Sequence, residues 1–401
     1  METSLEDKLL QDIIKSDNNA ILQHISRGAN PNKITSHGKT CLGEASKLGN
    51  MVIVQMLLNS NSENEASNQG IIYKKCNRSH KRKLKSVGPH DGKKYYLDCF
   101  TRENDFEDDG SVVNRHIDVI KYLISSGANV NGEEIHGYTP LCEAVWQKYA
   151  QVVEVLLTSG ARVTHSHKLL HNAVMQGQKD IVRMLINQTG GINLCDDAGD
   201  TALLLAVRLS HIEILKELLN KKANINICNN ITGSNALHIA VESFKDLNQF
   251  EQLLLLLLER KIDMNATALT GDTALNRALL LQKDHAAILL IRHGADVNTI
   301  DFQSCGLDNL TMVKQRATNH LARLLLKAGH YRPELDQCCV LPKKDTTAYW
   351  LHQICKEPFS LLDICRIQIR LLCRQKPLHQ CIPSLPIPIS LQRFLMFEDE
   401  I

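Results

Sequence analysis

A repeat restricts the fold more than any other feature of the chain. A module recurs along most of its 401 residues: Gly-x-Thr-(Pro/Ala)-Leu, a helix-like run, then a second aliphatic run ending in Gly-Ala-Asn/Asp-Val-Asn. Clear starts are Gly137-Tyr-Thr-Pro-Leu141, Gly199-Asp-Thr-Ala-Leu203, Gly233-Ser-Asn-Ala-Leu-His238 and Gly271-Asp-Thr-Ala-Leu275. Weaker ones begin at Gly38 and Lys168. From Lys168 to Thr201 is 33 positions and from Thr201 to Asn235 is 34, whereas from Asn235 to Thr273 is 38, with the surplus at 243–252. In the unit from Gly137, Thr139-Pro140 opens a helix with the threonine hydroxyl placed to cap orphan amides. Leu141, Ala144 and Val145 then follow at helical spacing, and Gly160 closes the second run. A single pair cannot bury its own apolar face, so neighbouring pairs must stack.

The period and the Thr-Pro-Leu-His-like core resemble ankyrin repeats over about Asp7 to Arg332. That resemblance implies an all-α solenoid of helix pairs with β-hairpin-like loops. Repeat endings give eight or nine units within 1–332, the terminal ones acting as caps. Lys222 and Lys261 replace the helix-ending glycine, and altered caps or local mobility are expected there. His171 and His238, at the histidine position of the core, are expected to hydrogen-bond the backbone of an adjacent loop rather than to act as bases.

The pattern lapses over 60–113, where a basic block (Lys74 to Lys94) precedes an acidic one (Asp98 to Asp109). It reads as a solvated insertion neutralised by its own neighbour, as a nuclear localisation signal at Lys81-Arg-Lys-Leu-Lys85, or as a phosphate-contacting strip. The formal net charge of +2 argues against a nucleic-acid partner. The acidic opening and the shortness of the Leu253 to Leu258 run argue against a signal peptide or a membrane span. A cytoplasmic chain is expected, with the basic block as a possible route to the nucleus.

The prolines divide the chain. None falls between Leu141 and Arg332, whereas Pro358, Pro377, Pro383, Pro386 and Pro388 crowd the C-terminus. After a linker at 333–356, Leu361, Cys365, Ile369 and Leu372 make one apolar stripe on a helix. Pro377 and Pro383 end that helix, Pro386 and Pro388 enforce an extended segment, and a short helix presents Leu391, Phe394 and Leu395 on one side.

Ser360-Leu-x-x-x-Cys-x-x-x-Ile369 resembles the BC box of a SOCS box, and Leu385-Pro-Ile-Pro388 resembles the cullin box that selects Cullin-5, so 357–401 is identified as a SOCS box. Ankyrin repeats followed by a SOCS box are the layout of the ankyrin repeat and SOCS box family. The resemblance implies a substrate receptor of a cullin-RING ubiquitin ligase, with Leu361, Cys365 and Ile369 gripping Elongin C of the Elongin B/C adaptor. It further implies that Leu385, Pro386, Ile387 and Pro388 meet Cullin-5 with its RING subunit, and that the repeats hold a protein target. Phe394 stands where the family commonly has tyrosine. The rival reading is an ankyrin scaffold whose C-terminus packs as a helical cap.

No nucleophile elbow, P-loop, dinucleotide fingerprint or HExxH occurs, so neither catalysis nor a cofactor is expected. The thirteen cysteines include no CxxC pair, and the spacing of Cys338, Cys339, Cys355, Cys373 and Cys381 with His352 and His379 matches no zinc pattern. Tyr138, Trp146 and Tyr149 are candidate target anchors, because aromatic side chains are scarce here and enriched in hot spots. Core packing is the other reading of Trp146.

Overall fold

The computed structural model describes residues 4–31, 33, 35–36, 40–64, 110–133, 137–164, 167–188, 190–244, 246–299, 308–314, 319–330, 349, 353, 356, 358–373 and 378–398. Contacts divide the chain into two compact units, Met1–Leu169 and Leu170–Ile401.

The first unit holds α1 (Leu5–Lys15), α2 (Asn18–Ser26), α3 (Cys41–Lys47), α4 (Met51–Asn64), α5 (Gly110–Ser125), α6 (Pro140–Trp146) and α7 (Ala150–Thr158). Its atypical first pair forms without the Thr-Pro-Leu start, because Ser4 caps α1 and Asp17 caps α2 through side-chain oxygens. The expected insertion lies largely outside the described residues, but α4 continues to Asn64 and α5 already begins at Gly110, inside the bounds assigned to it. α5 packs against both α3 and α4, and the His116 Nε2 donates to the Lys47 carbonyl at 2.7 Å. The helices on either side of 65–109 are thereby joined directly.

The second unit continues from α8 (Leu169–Met175), which the division cuts at its first residue, through α9 (Lys179–Gln188), α10 (Ala202–Arg208), α11 (Ile212–Asn220) and α12 (Ala236–Ser243). Next come α13 (Leu247–Glu259), α14 (Ala274–Leu280), α15 (Asp284–His293), α16 (Asn309–Lys314) and α17 (Asn319–Lys327). α10, α12, α14 and α16 stack in sequence as one layer, while α13, α15 and α17 stack as a second. Leu204, Leu237, Leu254, Leu257, Leu290 and Leu325 are sealed between the layers. Cys195 and Thr201 form an isolated antiparallel β-bridge.

The repeat's punctuation has a hydrogen-bond explanation. Thr40, Thr201, Thr273 and Asn235 cap α3, α10, α14 and α12 through their side-chain oxygens. Thr139 differs from expectation. Its hydroxyl lies 3.2 Å from Cys142 Sγ and makes no cap bond, and the Cys142 amide bonds the Thr139 backbone carbonyl instead.

The Asn/Asp-x-Asn ending links neighbouring repeats. Asn224, Asp263 and Asp296 each accept from the amide two residues on, at 3.0 Å, closing a side-chain turn. Asn226 Oδ1 then accepts from the Asp263 amide and Asn265 Oδ1 from the Asp296 amide, one repeat further along.

Lys222 and Lys261 hold the left-handed conformation of the glycines they replace, with φ of 62° and 60°. The surplus residues after α12 lengthen α13 and turn the chain at Phe244. Lys283 Nζ closes that turn by donating to the carbonyls of Val241, Glu242 and Phe244 at 2.6, 2.9 and 3.0 Å.

His171 Nε2 donates to the Leu194 carbonyl and His238 Nε2 to the Asp272 carbonyl, each at 3.0 Å, as expected of the core histidines. Among the described residues, no helix is long and apolar enough to cross a membrane.

Candidate docking surface

The C-terminal segment forms α18 (Leu361–Leu372), α19 (Leu378–Cys381), a 3-10 turn at Ile382–Ser384 and α20 (Ile389–Leu395). Pro383 therefore sits in the first turn of a short helical element rather than in a plain loop. α18 starts where the sequence fixes it. Ser360 Oγ accepts from the Asp363 amide at 3.1 Å while Asp363 Oδ2 accepts from the Ser360 amide at 3.3 Å, a reciprocal cap.

α18 is amphipathic with its faces reversed relative to a helix that packs by its apolar side. Asp363, Arg366 and Arg370 are buried, while Leu361 is 76% exposed and Leu372 81% exposed. Leu362, Ile364, Cys365 and Leu371 are exposed with them. On a 100° helical step, Leu361, Ile364, Cys365, Leu371 and Leu372 share one side, opposite Asp363, Arg366 and Arg370.

The buried charges meet aromatic rings, a carboxylate and backbone carbonyls. Arg366, 0% exposed, lies 3.5 Å above the Phe394 ring and 4.2 Å from that of Phe397, with Asp363 Oδ1 3.6 Å from its Nη1. Arg370 donates to the carbonyls of Leu395 at 2.9 Å and Arg292 at 3.3 Å, and to that of Ile291. Burial, followed by the adjacent Arg366 guanidinium, pushes the Arg370 pKa down. Its partners sit at the C-terminal ends of α15 and α20, where unpaired carbonyls and the helix dipole favour a cation. Lys327 Nζ approaches Asp363 at 3.9 Å, and Arg292 donates to the Phe397 carbonyl at 3.2 Å. Gly294, with φ of 104°, ends α15 under this segment, and a Cβ there would stand 2.9 Å from Leu378 Cγ. α18 is thus fixed on the last repeats by its polar side, and its leucines face out.

The expected stripe divides. Leu361, Cys365 and Leu372 are outward, whereas Ile369 is half-buried against a small core of Cys373, Leu378, Ile382, Leu395 and Met396. Helical angle explains this, since Ile369 falls to the side of the stripe nearest that core. In the next segment Leu385 and Ile387 turn partly into the same core, and Pro386 and Pro388 stay exposed. The Gln392 side-chain amide donates to the carbonyls of Ile387 and Leu385 at 3.2 and 3.4 Å and holds the segment's shape. Of the three residues expected on one side of α20, Leu395 is buried, Phe394 is half-buried under Arg366 and Leu391 is exposed.

In the first unit two of the three aromatic candidates, Tyr138 and Trp146, pack together. Tyr138 meets Trp146 edge to face at 4.6 Å between ring centroids, and His167 at 5.7 Å. Both, like Tyr149 at the start of α7, are half-buried. The basic block at 74–94, and Cys338, Cys339, His352 and Cys355, lie outside the described residues.

Sequence reasoning missed Arg366, Arg370, Ile364 and Leu371. Two arginines four apart opposite an apolar stripe read as a solvent face; the available signal was Phe394 and Phe397, spaced three apart, to receive them.

Fold and surface together define a helical-repeat protein with an outward-facing apolar helix near its C-terminus. The family model for ankyrin repeats (3 copies) matches residues 111–167 and 170–268, and the SOCS box model matches 357–396. The chain is an ankyrin repeat protein with a C-terminal SOCS box.

Over 209 residues it is 30% identical to the nuclear factor NF-kappa-B p105 subunit of Gallus gallus, covering 48% of this chain and 20% of that protein. It is also 30% identical over 205 residues to the B-cell lymphoma 3 protein homolog of Mus musculus, covering 48% of this chain and 44% of that protein. The matched region thus spans less than half the length of either relative.

Proposed function

We propose that this chain is the substrate-recognition subunit of a cullin-RING ubiquitin ligase: its repeats hold a protein target and its SOCS box recruits Elongin B/C and Cullin-5. The reversed α18 carries the reading. Exposed leucines on a helix tied down by buried arginines forgo roughly 1.5–3 kcal/mol each of hydrophobic burial, a state that a partner's apolar groove relieves. Leu361 and Cys365 enter that groove, with Ile369 at its edge, and Leu385, Pro386, Ile387 and Pro388 meet the cullin. Ubiquitin transfer belongs to the recruited RING subunit and conjugating enzyme, and this chain works in the cytoplasm without a catalytic group or cofactor of its own.

The test is co-purification of the full-length chain with Elongin B/C and Cullin-5. Leu361→Asp with Cys365→Asp abolishes capture while leaving the thermal unfolding midpoint in place, because both side chains are solvated. No capture by the wild-type chain would instead favour a plain ankyrin scaffold, and unchanged capture by the variant would overturn the assignment of Leu361 and Cys365 to the adaptor contact.

A further inference from the structure

Cys373 follows the last turn of α18 and Cys381 ends α19, and their sulfurs lie 3.0 Å apart, with Cys381 donating to Cys373. That is about 1 Å beyond the ~2.0 Å of a disulfide bond, so a small side-chain rotation brings the two to bonding distance. Both are thiols. Cys373 is buried in the small core with Leu378, Ile382, Leu395 and Met396, and Cys381 lies half-exposed at its edge. Burial, followed by the contact with Cys381, pushes the Cys373 thiol up to about 11. At neutral pH Cys373 therefore keeps its proton, and Cys381 is the sulfur an incoming oxidant meets.

We propose that Cys373 and Cys381 are a reversible dithiol/disulfide site whose oxidant is a small-molecule disulfide of the glutathione type. The Cys381 thiolate attacks one sulfur of glutathione disulfide, a bond forms from Cys381 to glutathione, and a glutathione thiolate leaves. That thiolate takes the Cys373 proton as Cys373 Sγ attacks Cys381 Sγ, and the second glutathione leaves as the protein disulfide closes. Two protein thiols lose two electrons and two protons, and one glutathione disulfide becomes two glutathione thiols. The bond ties the C-terminal turn of α18, beside the exposed Leu372, to α19. It therefore braces one end of the outward apolar face, and the site stands whether or not that face docks an adaptor.

The test is a peptide map of the reduced full-length chain after equilibration with glutathione disulfide, alkylation and trypsin digestion. Cleavage after Arg370, Arg374 and Arg393 separates Leu371–Arg374 from Gln375–Arg393, the bond between Lys376 and Pro377 resisting trypsin. The disulfide holds these two peptides together, two hydrogens lighter than their sum. The linked pair is expected to accumulate in the wild type and to part on adding dithiothreitol. In Cys373→Ala it is replaced by a lasting glutathione adduct on Cys381. The proposal is overturned if wild-type Cys381 stops at the glutathione adduct, if either cysteine links to another of the thirteen, or if both stay reduced where the exposed Cys365 is modified. The deciding map is read on the wild-type chain and does not depend on the variant folding.

Discussion

The Arg370 guanidinium donates to the Leu395 carbonyl at 2.9 Å while also reaching the carbonyls of Ile291 and Arg292, so one side chain joins the C-terminal ends of α20 and α15. Removing it takes a donor from all three, the Ile291 carbonyl keeping the Gly294 amide, and charge-assisted hydrogen bonds are worth about 1.5–3 kcal/mol. Relief of the guanidinium's own desolvation offsets part of that loss. Arg370→Ala is expected to destabilise the SOCS box by about 2 kcal/mol, with Arg370→Lys intermediate because a lysine reaches fewer carbonyls. Hydrogen exchange checks this: amides of α18 and α20 should exchange faster in Arg370→Ala, while those of α10 and α12 should not change.

The two faces of α18 and its small core should separate cleanly by mutation. Ile382 is fully buried, and its truncation to alanine should cost about 2–4 kcal/mol. Leu361→Ala and Leu372→Ala remove solvated side chains and should stay within about 0.5 kcal/mol of wild type. Urea unfolding of the three variants reads the difference. A large loss for Leu361→Ala would mean that its side chain is packed rather than outward.

Helix starts and repeat boundaries were legible because each unit encodes them locally, through Thr201, Thr273 and Asn235 as caps and the Asx endings as side-chain turns. Helix α18 was legible in period but not in orientation. Its apolar stripe normally points inward, and what reverses it is remote in sequence: Phe394, Phe397 and the carbonyl ends of α15 and α20. Lys283 escaped for the same reason, since its three carbonyl partners are about 40 positions away. Thr139 was misread because a cap is assigned from residue type, whereas the nearby Cys142 sulfur engages the hydroxyl.

Acid should weaken the second unit in two stages. Burial holds the His238 pKa below its usual value. Burial would raise the Asp272 pKa, but hydrogen bonds from Arg277 and Thr270 and the Arg277 charge outweigh it and hold it low. Each group binds protons less readily folded than unfolded, so each contribution is complete above the unfolded pKa and is lost as pH falls through the folded one. His238 is therefore expected to cost stability as pH drops below about 6.5, and Asp272 below about 3.9. Asp272→Asn should be less stable at pH 7 and lose less than wild type on further acidification below pH ~4. Denaturant midpoints measured across that range test both signs.

Lys222 and Lys261 end α11 and α13 in the left-handed region, at φ of 62° and 60°, where most repeat endings have glycine. A lysine Cβ in that conformation costs roughly 1–2 kcal/mol. Glycine removes this strain but gives back about 0.5–1 kcal/mol through the greater freedom of the unfolded chain. Lys222→Gly and Lys261→Gly should therefore each stabilise the second unit, by about 0.5–1 kcal/mol. The two sites are a full repeat apart, so the double variant should show the sum of the single gains. Thermal unfolding of the three proteins decides it: unchanged or lowered midpoints would mean that the lysine side chains make contacts worth as much as the strain they impose.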